Sequence, residues 1–89
     1  MKITETAQFR KSYEKLETAL KKKAQKQFKL FLANLFHASL NTEKLEPKES
    51  NVWSFRIDKG TRVIFTFAEK ETVLLLDVGS HDIYRKKMR

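Results

Sequence analysis

Val52-Trp53-Ser54-Phe55-Arg56-Ile57, Asp58-Lys59-Gly60, Thr61-Arg62-Val63-Ile64-Phe65-Thr66-Phe67-Ala68 is the stretch that decides the fold. Trp53, Phe55 and Ile57 alternate with polar neighbours, and Val63, Phe65 and Phe67 fall at every second position of the next run. A period of two is the mark of a half-buried strand. The short polar loop between the runs, with Gly60 expected at positive φ, predicts an antiparallel hairpin. A three-residue loop over 58–60 pairs Ile57 with Thr61. It then pairs Arg56 with Arg62, Phe55 with Val63 and Trp53 with Phe65. The two apolar faces coincide in that register, and a slip by one residue would separate them. Ser54, Arg56, Arg62 and Thr66 are left on the opposite face.

Outward from the hairpin, Thr72 to Val78 is apolar on both faces and suits a strand well inside the sheet. Lys2 to Thr6 fits an added edge strand. On the N-terminal side, Phe9, Tyr13, Leu16 and Leu20 form a stripe at helical spacing, which predicts a helix from about Ala7 to Leu20. A second stripe runs through Ala24, Phe28, Phe31, Leu32 and Leu35, with Phe36 beside it. The polar turn Lys21-Lys22-Lys23 lies between them, so the segment reads as a helical hairpin or as one bent helix. Asn41 to Asn51, containing Pro47, is a polar connection. The expected architecture is α+β: an N-terminal helical hairpin packed on one face of a twisted antiparallel β-sheet. With 89 residues and no linker or repeat, residues 1–89 form a single domain.

Charge narrows the partners. Nineteen Lys and Arg against eleven Asp and Glu leave a net charge of +8. So basic a small body favours polyanions such as nucleic acid or an acidic protein, although a solvated lysine-rich surface has the same composition. There is no cysteine, which removes disulfides and thiolate metal sites and fits a reducing cytoplasm. No apolar run approaches the roughly 20 residues of a membrane span, and the polar start Met1-Lys2-Ile3-Thr4-Glu5-Thr6 is unlike a signal peptide. The expectation is a cytoplasmic protein without a membrane partner.

The arginine pair carries the chemistry. Like charges directly opposite on neighbouring strands destabilise a sheet, and an anion held between the guanidiniums would relieve the repulsion. The plain alternative is that Asp77 or Glu46 neutralises one of them. Past the last strand, Val78-Gly79-Ser80-His81-Asp82-Ile83-Tyr84 gathers a proton-transfer histidine, a carboxylate and an aromatic that could stack on a base. His37 suits a capping role at the end of the second helix. His37 and His81 are the only histidines and lack ligand-like spacing, so neither a metal nor a cofactor is expected. The basic tail, including Arg85 and Lys86, can follow a phosphate backbone or stay solvated.

Taken together, Phe9-Arg10-Lys11-Ser12-Tyr13, Leu40 followed by Lys44-Leu45, Trp53-Ser54-Phe55-Arg56-Ile57, Arg62-Val63-Ile64-Phe65 and Val78-Gly79-Ser80-His81-Asp82-Ile83-Tyr84 resemble the RelE/ParE superfamily of bacterial toxins over nearly the whole chain. The resemblance implies the toxin of a type II toxin–antitoxin system, with a helical hairpin on an antiparallel sheet. In RelE-like members it implies metal-independent endoribonuclease activity on messenger RNA at the ribosome, with attack by the ribose 2′-hydroxyl. Arg56 and Arg62 match the sheet arginines of YoeB-like members. His81 and Tyr84 match their terminal His-Tyr pair loosely, because two residues separate them. On this resemblance Arg56 and Arg62 would hold the phosphate, His81 would be the general acid and Glu46 the general base. Asp82 would orient His81, and Tyr84 would stack on a base. Lys44 lies where relatives carry a charged active-site residue. Lys44, Lys22, Lys23, Lys26 and Lys29, with Arg85 and Lys86, would bind RNA, both messenger and ribosomal. The expected protein partner is an antitoxin with an acidic or amphipathic segment, lying on the polar sheet face or in a groove by the helices. Thr61 and Lys44-Leu45-Glu46-Pro47 depart from common patterns. The superfamily also contains ParE-like gyrase inhibitors and modules without demonstrated activity, so two further functions stay open.

Overall fold

The computed structural model describes residues 2–69 and 71–80. Strand β1 (Lys2–Glu5) is followed by helices α1 (Ala7–Glu14) and α2 (Thr18–Ala33). A short strand β2 (Glu43–Lys44) lies between two 3-10 turns (Ala38–Leu40 and Lys48–Ser50), and β3 (Val52–Asp58), β4 (Thr61–Glu69) and β5 (Thr72–Ser80) follow. The sheet order is β1-β5-β4-β3-β2. The β2–β3, β3–β4 and β4–β5 pairs are antiparallel, as expected of the sheet. The added edge strand β1 runs parallel to β5, so the sheet is mixed. The apolar run at Thr72 to Val78 lies inside the sheet, between β4 and β1.

The helical hairpin forms, but its break falls elsewhere. Lys21, Lys22 and Lys23 lie inside α2, and the chain turns at Lys15-Leu16-Glu17. Tight bonds from the amides of Lys15 and Leu16 to the carbonyls of Ser12 and Tyr13 close α1, and extended Glu17 (φ −63°, ψ 153°) opens α2. Lysine is a good helix former, and three in a row contain nothing to stop a helix. Leu20 continues the stripe of Ala24, Phe28 and Phe31, so it belongs to the second helix. Leu32 lies off that stripe and is 54% exposed. Thr6 fixes where α1 begins: its hydroxyl oxygen accepts the Phe9 amide at 3.0 Å and its hydroxyl donates to the Leu75 carbonyl at 2.9 Å, tying the helix start to β5.

The core lies between the helices and one face of the sheet. Phe31 stacks on Phe55 with centroids 4.6 Å apart and meets Phe65 edge-on at 5.1 Å. Phe28 meets Phe55 at 5.4 Å and Phe9 at 6.3 Å. Such ring geometries add to the burial of large apolar area. Phe31, Phe55 and Phe65 are completely buried. We therefore expect Phe31→Ala to cost about 3–5 kcal/mol, a large share of a small domain's stability, with loss of the cooperative transition in urea as the measurement.

Candidate functional site

Arg56 pairs directly with Arg62, Phe55 with Val63 and Trp53 with Phe65, as the hydrophobic pattern requires. The turn itself differs. Asp58, not Ile57, pairs with Thr61, and the register shifts between Arg56 and Asp58. Gly60 does not have a positive φ. Its amide donates to the Asp58 carboxylate at 3.0 Å, so the side chain closes the turn without left-handed backbone. The bulge absorbs the extra residue and keeps Ile57 in the core, 4% exposed.

Alternation places Arg56 and Arg62 on the face turned from Phe55 and Val63, hence from the helices. The next strand contributes Gly79 opposite Arg62. One row across the sheet is thus Arg56, Arg62 and Gly79, two cations beside a position with no side chain. The adjacent row, roughly 7 Å along the strands, is Glu43, Ser54, Ile64 and Asp77. Ile64 and Ser54 are fully buried and Asp77 is 7% exposed. Among the described residues, two buried side-chain atoms lack a hydrogen-bond partner: Arg62 Nη1 and Ser54 Oγ. They are diagonal neighbours on this same face. A buried donor left unmade costs about 1–3 kcal/mol, more for a charged group, so the arrangement calls for an acceptor.

The other predicted site residues are distributed as follows. Lys44 pairs with Trp53 and puts its ammonium 5.7 Å from the centre of that ring, on the helix side rather than with the arginines. Glu46 is exposed beyond the end of β2. Glu43 shares a row with Ser54 and so stands on the arginine face. Sequence reasoning passed over it, because a two-residue strand leaves no periodicity to read. Lys22, Lys26 and Lys29 are exposed on α2. Lys23 reaches the Asp58 carboxylate at 3.5 Å. His37 caps the 3-10 turn after α2: its Nδ1 accepts the Ser39 amide at 3.2 Å. His81, Asp82, Tyr84, Arg85 and Lys86 lie outside the described residues. The last described residue, Ser80, follows the cross-strand partner of Arg62. Among the described residues, no three His, Asp or Glu side chains gather as a metal site requires. No described helix is long and apolar enough to cross a membrane.

No protein-family model matches the chain, and no curated protein matches it. Solved structures do. The YoeB/ParE toxin from Agrobacterium tumefaciens superimposes with a TM-score of 0.74 at 18% identity, over 91% of this chain and 99% of the other. YoeB in the heterotetrameric YoeB–YefM toxin–antitoxin complex from Staphylococcus aureus gives 0.70 at 20% identity, over 91% and 97%. The archaeal RelE–RelB complex from Pyrococcus horikoshii gives 0.70 at 16% identity, over 89% and 92%. The fold is that of the RelE/ParE toxins. At these identities the likeness is one of backbone, and the site residues of this RelE-like chain must be argued from its own geometry.

Asp58 closes the turn that follows the arginine pair. Partial burial pushes its carboxyl up, but the Gly60 amide, the Thr61 hydroxyl and the Lys23 ammonium more than offset this and hold it below its ordinary value. A depressed carboxyl contributes stability above its unfolded value and loses it as pH falls through the folded one. The melting-temperature gap between wild type and Asp58→Asn should therefore be widest near neutrality and close as the pH drops below about 4. A pH-independent gap would remove the carboxylate from the turn.

Proposed function

We propose that this RelE-like protein is the toxin of a type II toxin–antitoxin pair and a cytoplasmic, metal-independent endoribonuclease that cuts messenger RNA on the ribosome and so inhibits translation. The observation that carries this is the directly paired Arg56 and Arg62, with Arg62 Nη1 buried and lacking an acceptor. A phosphodiester between the guanidiniums supplies that acceptor and cancels their repulsion. As the ribose 2′-oxygen bonds to phosphorus and the bond to the 5′-oxygen breaks, the phosphate gains negative charge, and fixed cations favour that transition state. The 2′-hydroxyl needs a base. Glu43, also exposed but on the arginine face, suits this role better than Glu46, which lies beyond the end of β2. His81 would protonate the departing 5′-oxygen, Asp82 would orient it, and Tyr84 would stack on a base. In the sequence this segment begins two residues after Gly79, the cross-strand partner of Arg62. Lys22, Lys26 and Lys29, four and three residues apart on the outer side of α2, form a cationic ridge for ribosomal RNA.

The partner reading is an antitoxin, as in the S. aureus and P. horikoshii complexes. A cleft of about 420 Å³ opens between β1 and the helices, lined by Ile3, Phe9, Tyr13, Phe28 and Leu75, with the Glu5–Arg10 ion pair at its side. Arg10 and Lys21 flank the Tyr13 ring at 5.8 and 6.0 Å. The amides of Lys2 and Thr6 bond towards β5, so alternation turns the backbone of Ile3 and Glu5 to the open edge of β1. An amphipathic acidic segment could add to that edge and fill the cleft with apolar side chains.

Two measurements test these readings. In a translating extract, Arg62→Ala and His81→Ala should each slow messenger-RNA cleavage ~100-fold or more, and Glu43→Gln should slow it more than Glu46→Gln. Wild-type cutting by both Arg62→Ala and His81→Ala would end the nuclease assignment. For the partner, Tyr13→Glu should weaken calorimetric binding of the acidic protein encoded alongside by at least about tenfold, while Arg62→Ala should leave it near wild type. Equal affinity of Tyr13→Glu and wild type would move the antitoxin off the cleft.

A further inference from the structure

Among the residues that α2 buries, Ala24, Gln27 and Phe31, one is polar. Gln27 is 8% exposed. Its amide nitrogen donates to the Arg56 carbonyl at 2.8 Å and to the Ser39 carbonyl at 3.2 Å, which uses both of its hydrogens. Desolvating an amide is costly, and a leucine or methionine would continue the stripe without that cost. What demands the amide is the backbone of β3. Strand β2 pairs with β3 only at Trp53 and Ser54, so further along, the flank of β3 away from β4 has no neighbouring strand among the described residues. The ladder to β4 is irregular there too, because its register shifts immediately after Arg56. Arg56 thus sits where strand pairing gives the least restraint, and a side chain from the helix layer stands in for the missing strand.

We propose that Gln27 is a positioning residue for the arginine pair: from the helix side of the sheet it clamps the Arg56 backbone, and so holds that guanidinium opposite Arg62 on the other side. The functional part rests on the phosphate-binding reading above, whereas the clamp on Arg56 does not. Gln27 never meets the substrate. It acts through Arg56 alone, so its effect must vanish when the Arg56 side chain is absent.

The test uses Gln27→Met, which keeps side-chain length and loses both donors. Gln27→Asn keeps the donors on an arm one methylene shorter and serves if the methionine variant does not fold. Val73→Ala, a buried substitution on β5 away from Arg56, is the control for general destabilisation. In the free protein, Gln27→Met should shift and broaden the Arg56 Nε–Hε signal in proton–nitrogen spectra, and should speed amide exchange at Ile57 by about five- to tenfold. Val73→Ala should leave the Arg56 signal in place. With an uncleavable 2′-O-methyl RNA hexamer as ligand, Gln27→Met should weaken binding about fivefold in the wild-type background and not at all in Arg56→Ala. An unmoved Arg56 signal in Gln27→Met, or equal loss of affinity in both backgrounds, would overturn the proposal. If wild type does not bind the hexamer, the phosphate reading falls, and the spectra of the free protein still decide whether Gln27 holds Arg56.

Discussion

The β3–β4 register is the constraint on which the rest of the molecule depends. Phe55 and Phe65 enter the core under Phe31 only in the pairing that also sets Arg56 against Arg62. The favourable term is large: burying a phenylalanine side chain is worth about 1.5–3 kcal/mol. The unfavourable one is smaller, since a cross-strand pair contributes roughly 0.2–1 kcal/mol. Hydrophobic packing therefore fixes a repulsive contact that the sheet would not choose on electrostatic grounds. On the proposed function, that retained repulsion is what preorganisation for a phosphate requires.

The two sides of the sheet divide the work. The helix side is an aromatic core that reaches from Phe9 through Phe28 and Phe31 to Phe55 and Phe65. The other side is not a simple solvated surface, because Ile64 and Ser54 are fully buried and Asp77 nearly so. The arginines thus stand beside dry, low-dielectric surroundings, where an ion pair is screened less than at an open surface. Connections between the sides are few and local. The Asp58 turn, with Lys23 of α2 beside it, closes one end of the hairpin, and the Gln27 amide reaches Arg56 from the core.

Much of this was legible in the sequence, where periodicity was long enough to read. The alternation over β3 and β4 gave both the strands and the arginine pairing. It could not give the bulge, since a loop of three and a turn of two plus a bulged Ile57 preserve the same pairing from Arg56 onward. Glycine at 60 suggests a left-handed turn, but the Asp58 carboxylate accepts its amide and makes one unnecessary, a side-chain contact that periodicity does not reveal. The helix break was misplaced because three lysines look like a loop by polarity while being helical by propensity. β1 was recognised as an edge strand, but its parallel direction follows from the crossover through both helices and leaves no mark on four residues. Glu43 and Gln27 were invisible for a related reason: each matters through one partner on another element, and neither belongs to a repeating pattern.

The distribution of cations adds a further distinction. The arginines occupy one row of the sheet, and Arg62 is partly buried with one nitrogen wholly enclosed. Lys22, Lys26 and Lys29 lie exposed along α2, on the other side of the core. Exposed lysines attract a polyanion mainly through counterion release, a term that weakens steeply as salt rises and reads no detail. Enclosed guanidiniums act through short, directed hydrogen bonds that salt screens far less. On the proposed function, one side of the domain would serve loose, salt-sensitive docking on a large anionic surface, and the other would grip a single phosphate. An unspecialised lysine-rich coat would account for the first group of charges but not for the second, because it gives no reason to bury an arginine nitrogen without an acceptor.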